Sequence, residues 1–221
     1  MKPQSPKNHV PAVSFEAIDL PKPKLRHTGS VAEALEKRKT TREISTKKLS
    51  FQTISNLLWA AGGVNRRTGP FGIPGRTAGS ASNSQEVDIF VALEDGIYFY
   101  DFVRHRIVPT VAGDFRSLAI GPGQTAFAAH APLHLIYVAD IHRLSHSSGY
   151  KEPGLLDEEI QKSYYFVDTG LIAANVYLFA ASEGLAAWFH NCNKPTLTEK
   201  LNLRPDQKVL FGQTVGFAEK K

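Results

Sequence analysis

Cysteine is all but missing, since Cys192 is the single one in 221 residues. One thiol cannot build an internal disulfide framework, a cysteine-rich metal site or a CxxC redox couple. No uninterrupted apolar run of membrane-spanning length is read, and no basic start is followed by an apolar stretch of the signal-peptide kind. The polar, proline-bearing opening Met1–Lys7 suits a cytoplasmic chain, the default expectation, and equally a mature periplasmic or secreted one. There is no G-x-G-x-x-G run and no standard RNA- or DNA-binding motif. The net charge of +5 is scattered along the chain, so no nucleic-acid partner and no membrane insertion are expected.

With 42% hydrophobic residues and no low-complexity linker, the chain has enough apolar material for one large core. Prolines at 3, 6, 11, 21 and 23 make residues 1–29 an extended surface arm, followed by one domain over 30–221. Ser30 and Glu33 have capping-box spacing and open a helix to about Lys39. Phe51, Ile54, Leu57 and Leu58 recur at helical spacing and give a second helix a buried face, ended by Gly62-Gly63. Val87, Ile89 and Val91 alternate before Glu94-Asp95-Gly96 and Ile97–Tyr100, which reads as a β-hairpin. His105–Val108 extends that meander, Leu133–Ala139 is a central strand, and 114–119 and 124–129 are short helices. A long helix spans about 158–183, and residues 143–155, rich in Ser, His and Gly, form a loop or lid. The sum is an α+β domain.

Three groups of residues carry chemistry. Arg38, Thr40 and Arg42 present two guanidinium groups around a hydroxyl, the donor set that binds phosphate, with Lys39 between them; the same composition also suits a solvated helix end. Ser80-Ala81-Ser82-Asn83-Ser84-Gln85 offers amide and hydroxyl groups, and alone reads equally as an ordinary loop. His142 and His146, with His130 and His134, have metal-ligand spacing but no acidic companion, so no metal is assigned.

These segments, in this order, resemble the nitroreductase family of FMN-dependent oxidoreductases. The basic run is similar to its R-x-S/T-x-R/K phosphate motif, and residues 80–85 to its S-S-x-N-x-Q segment beside the flavin ring. Tyr164–Glu183 with Gly184–Asn191, and the final strand Lys208–Phe217, resemble its late helix and closing strands. The resemblance implies a mostly antiparallel central sheet flanked by helices in three layers, in an intertwined homodimer. It also implies FMN as cofactor, NADH or NADPH as transient donor, and a nitroaromatic or quinone-like small molecule as acceptor. The implied FMN residues are Arg38, Lys39, Thr40, Arg42, Ser80, Ser82, Asn83, Gln85, Phe189, His190, Asn191, Cys192 and Lys220. In this scheme a backbone N–H of Asn191 or Cys192 meets flavin N5, Cys192 is passive as a thiol, and no side chain is assigned as catalytic because the flavin carries the chemistry. The insert Gly62–Arg76 resembles the layout of the SagB-type branch, whose members oxidise azoline rings in peptides. Where that branch carries a P-S-x-G type sequence, this chain has Gly79-Ser80-Ala81-Ser82. Two rivals therefore stand beside the reductase: a flavin carrier without turnover, and an azoline-peptide dehydrogenase.

Overall fold

The computed structural model describes residues 15–24, 29–147 and 156–220. Seven strands form one sheet: β1 (Ile18–Asp19), β4 (Val87–Ala92), β5 (Gly96–Asp101), β6 (Arg106–Ala112), β7 (Leu133–Asp140), β8 (Ala186–His190) and β9 (Gln207–Gly216). Their spatial order is β1-β6-β5-β4-β7-β9-β8, every neighbouring pair antiparallel. A separate short ribbon pairs β2 (Val64–Arg66) with β3 (Gly75–Arg76). The helices are α1 (Val31–Lys37), α2 (Phe51–Gly62), α3 (Thr125–Ala128), α4 (Ile141–Ser145), α5 (Glu158–Ser182) and α6 (Lys194–Lys200).

The centre of the sheet explains its apolar runs. Every residue of β4 and β7 is buried, so alternation is replaced by continuous hydrophobicity. Asp88 is the exception on β4, and Arg143 from α4 meets its carboxylate at 2.7 Å. One apolar layer joins Leu57 and Leu58 of α2, Ile89 and Val91 of β4, and Ile172, Val176 and Phe179 of α5. Each such side chain contributes about 1.5–3 kcal/mol on burial. Among the described helices α5 is the one long and apolar enough to cross a membrane, and here it packs on α1, α2 and β8.

Several boundaries depart from the sequence expectation. The Ser30–Glu33 capping box forms, but α1 stops at Lys37, because Arg38 is already extended (φ −60°, ψ 119°). Phe51 was expected on the buried face of α2 and is 53% exposed; it is the first helical residue, on the rim beyond the turn that Ile54 and Leu57 bury. Within the expected surface arm, residues 15–24 run extended and are joined to the domain: β1 pairs with β6, Phe15 packs on Tyr98, and Lys24 exchanges two hydrogen bonds with Asn56. Residues 1–14, 25–28, 148–155 and Lys221 lie outside the described residues, and so does most of the expected loop 143–155. Its first residues belong to α4, capped by Asp140, which accepts from the Arg143 N–H. The short helix expected over 114–119 is a 3-10 turn at Arg116–Ala119, and α3 fills part of 124–129.

Candidate functional site

The early end of α1 decides the geometry of the basic run. In extended chain, neighbouring side chains leave on opposite sides. Arg38 lies over the Tyr177 ring at 5.6 Å, Thr40 Oγ1 is 3.2 Å from the Tyr177 hydroxyl, and Arg42 lies over Trp188 at 5.9 Å. Lys39 and Thr41 instead line a cavity of about 540 Å³ with Lys37, Gly184, Ala186 and Ala187. That volume is in the ordinary range for a cofactor or substrate pocket. Lys39 alone among the expected FMN residues lines it.

The run is held against sheet edge β8. Thr41 donates its N–H to the Ala187 carbonyl at 3.0 Å, while Ser45 donates to Phe217 and Glu219 to Glu43. With Ile44 bridged to Ala218, this antiparallel register sets Lys220 opposite Arg42. Arg38, Lys39, Thr40, Arg42 and Lys220 are all exposed. Four cationic side chains and a hydroxyl thus lie on two paired short segments, with Glu43 and Glu219 interleaved.

The second group is a strained loop. Ser82, Asn83 and Gln85 have φ of 49°, 53° and 52°, a left-handed conformation that costs non-glycine residues about 1–3 kcal/mol each. Gln85 holds it together by donating its N–H to Ser80 Oγ at 2.9 Å and its side-chain amide to Asn83 Oδ1 and the Pro74 carbonyl. Asn83 in turn donates to the Pro70 carbonyl at 3.4 Å. The insert is therefore a brace for this loop. From α5, Asp168 accepts the Ala81 N–H at 2.9 Å and Asn175 donates to the Thr77 carbonyl.

At the end of β8 only part of the expected set faces outward. Asn191 is exposed and Phe189 half-buried, whereas His190 and Cys192 are buried. The side chains of His190 and Cys192 accordingly offer nothing to a ligand at this surface, which leaves their backbone. The Cys192 N–H already donates to Asn191 Oδ1 at 3.0 Å. Of the two amides expected to meet the flavin, the Asn191 N–H fits that role better. Burial pushes the Cys192 thiol up to about 11, Lys194 only partly opposing it, so the thiol stays protonated.

Behind β8 runs a buried chain of neutral imidazoles. His190 Nδ1 donates to the Asn191 carbonyl, so its Nε2 is an acceptor and takes the Thr214 hydroxyl at 2.8 Å. Thr214 Oγ1 then accepts from His134 Nδ1, also at 2.8 Å. Burial holds His190 down to about 4 and His134 to about 3. This occupies His134, one of the four histidines with metal-like spacing, while His142 and His146 stack on each other at 4.1 Å. Among the described residues no three His, Cys, Asp or Glu groups converge for a metal.

Sequence reasoning missed Tyr177, Asp168, Glu86 and Thr214. Tyr177 and Asp168 are nine residues apart on α5, about 13 Å along the helix, and each anchors one of the two ligand-like segments. The lone carboxylate of Asp168 within an apolar helical stretch was the one available signal.

The model for the nitroreductase family matches residues 35–217. A candidate nitroreductase of Methanocaldococcus jannaschii is 31% identical over 160 residues, covering 69% of this chain and 74% of that protein. The crystal structure of a candidate nitroreductase from Ralstonia eutropha JMP134 superposes with a TM-score of 0.80 at 32% identity, covering 93% of this chain and 91% of the other. A chain of the E. coli microcin synthetase McbBCD complex shares the fold at TM-score 0.66 and 17% identity, covering 90% and 77%.

Proposed function

We propose, from the premise that the chain belongs to the nitroreductase family of oxidoreductases, that it is an FMN-dependent enzyme reducing nitroaromatic or quinone-like acceptors with NADH or NADPH. The observation that carries this reading is the clustering of Arg38, Thr40, Arg42 and, by register, Lys220 at the β8 edge beside a cofactor-sized cavity. The donor set fits a phosphate monoester, because guanidinium pairs and a hydroxyl match its dianionic oxygens.

In this reading Arg38, Thr40, Arg42 and Lys220 hold the phosphate, while Lys39 and Thr41, on the other side of the run, face the cavity. Asn83 and Gln85 serve the polar edge of the ring, and the Asn191 N–H serves its redox edge. Bound FMN supplies a ring that accepts and returns hydride. The chain fixes the donors in advance: the positive-φ loop, its Asp168 anchor and the His190 bond to the Asn191 carbonyl each restrict backbone that would face the ring. A hydroxyl and a peptide N–H tied by Tyr177 join the phosphate end to β8.

A second copy of the chain completes the reading. Ile160, Val167 and Leu171 are 41%, 59% and 46% exposed at helical spacing on α5, an apolar stripe that a homodimer would cover. A second activity, oxidation of azoline-bearing peptides, is favoured by the fold shared with the microcin synthetase chain and by the insert packed on residues 80–85. FMN titration tests the first reading: one equivalent per chain binds, and Arg38→Ala with Arg42→Ala abolishes tight binding of FMN but not of riboflavin, which lacks the phosphate. Equal losses for both ligands would remove the phosphate assignment.

A further inference from the structure

Under the loop of residues 80–85 two acidic side chains are buried against each other. Glu86 is 0% and Asp168 4% exposed. Glu86 Oε2 accepts the Ser84 hydroxyl at 2.6 Å and Asp168 Oδ2 accepts the Ala81 N–H at 2.9 Å. Both carboxyls therefore hold the same loop, Ser84 from one side and Ala81 from the other. Glu86 Oε1 has no donor among the described residues. The Glu86 carboxylate raises the proton affinity of Asp168, and two carboxyls buried together do not both ionise readily.

We propose that Glu86 and Asp168 share one proton and that Asp168, through this pair, is the positioning residue that latches the 80–85 loop in its left-handed form. The inference rests on the flavin reading, because that reading makes the loop's Asn83 and Gln85 ring-edge contacts. Loss of the shared proton puts two negative charges side by side in a buried space. Their repulsion there outweighs the stronger hydrogen bond an ionised Asp168 makes to Ala81, and the two anchors of the loop are driven apart. Since three consecutive-region residues there carry strained backbone, the loop leaves that conformation when its anchor weakens. Ring-edge contacts thereby become dependent on pH.

The surrounding charges allow a single proton to remain near neutrality. Arg76 from β3 lines the same crevice as Asp168 and faces Glu86, but it also faces Asp88 and lies over the Phe102 ring at 3.6 Å. Arg143 from α4 spends its guanidinium on Asp88 and on the Glu86 carbonyl. Asp140 of β7 binds Arg204 and adds no cation. Burial first, and the Glu86 carboxylate second, push Asp168 up to about 7, against the Ala81 N–H, which favours its ionised form.

Amide hydrogen exchange of residues 81–85, measured from pH 5.5 to 8.5 without flavin and corrected for intrinsic rates, tests the latch by itself. Protection should fall as pH rises toward about 7 in the wild type, by up to about tenfold per pH unit, and level off above it. It should stay flat in Asp168→Asn, whose amide both accepts from Ala81 and donates to Glu86, and be low throughout in Asp168→Ala. Flat protection in the wild type, or unchanged protection in Asp168→Ala, overturns the proposal. Midpoint potentials of bound FMN over the same range then test its consequence: a potential that departs from the Asp168→Asn curve above pH 7 supports it. A responsive loop with superimposable potentials overturns the ring-edge half and leaves the latch. A responsive loop in a protein that binds no FMN sinks the flavin reading alone.

Discussion

The Tyr177 hydroxyl accepts the Phe189 N–H at 2.8 Å, so a helix side chain satisfies a peptide group on the outermost strand of the sheet. Its own proton is then available to Thr40 Oγ1, 3.2 Å away. Removing that hydroxyl by Tyr177→Phe leaves the Phe189 N–H without this acceptor and unties the basic run, at a cost of about 1–2 kcal/mol. A lower midpoint in urea denaturation and roughly tenfold weaker FMN retention are expected. Unchanged values for both would remove Tyr177 from the site.

Arg38 and Arg42 lie on the surface over aromatic rings. Their joint replacement by alanine should leave the fold intact while removing charged hydrogen bonds worth about 1.5–3 kcal/mol each. Fluorescence titration should show FMN affinity reduced by at least about a hundredfold, and higher salt should narrow the difference by screening the wild-type clamp.

The His134–Thr214–His190 chain ties stability to pH. Both imidazoles have folded pKa values depressed below the ordinary 6.5, to about 3 and about 4. An unfolded chain therefore binds protons there that the folded chain refuses. The contribution is fully present above pH 6.5 and is lost as pH falls toward 4. Asp168 has the opposite sign, because its raised pKa adds stability below about 3.8 that disappears on the way to 7. Urea melts at pH 4.5, 6 and 7.5 should show the histidine loss at the acid end, and Thr214→Val should lower stability at every pH by about 1–3 kcal/mol through unpaired ring nitrogens.

Cys192 lies 3% exposed among Phe90, Ile136 and Leu197. A thiol so placed and held protonated should resist thiol-reactive reagents in the native protein and react only after denaturation. Cys192→Ala should retain flavin reduction, and its loss would contradict the passive role.

Charge introduced on the exposed stripe of α5 tests the paired subunit. Val167→Glu with Leu171→Glu places two carboxylates on the proposed interface, so sedimentation should change from dimer to monomer. An unaltered dimer would place the interface elsewhere.

Sequence patterning disclosed those elements whose local signals and tertiary roles coincide. Leu133–Ala139 and Lys208–Phe217 are apolar runs because the sheet's interior covers both of their faces, and the Ser30–Glu33 cap is a purely local hydrogen-bond exchange. Helix α6 was passed over although Asn193 caps it and proline opens it, a short signal between two stronger strands. β1 was hidden by neighbouring prolines, which an edge strand tolerates. At the site, Arg38, Thr40 and Arg42 were legible as a donor set, but their alternation with Lys39 and Thr41 depended on where α1 ends. Tyr177 and Asp168 act through partners 137 and 87 residues away in sequence. No periodicity within α5 records such contacts.

The most direct test of the flavin account is an anaerobic absorbance spectrum of the FMN-loaded protein before and after NADH or NADPH. The account predicts bleaching of the flavin bands and their return on adding a quinone or nitroaromatic. Flavin that stays oxidised with both nicotinamides and is bleached by an azoline-bearing peptide would replace the reductase with the peptide dehydrogenase. Flavin that stays oxidised with every donor would leave a carrier, and failure to bind FMN at all would contradict the account at its root.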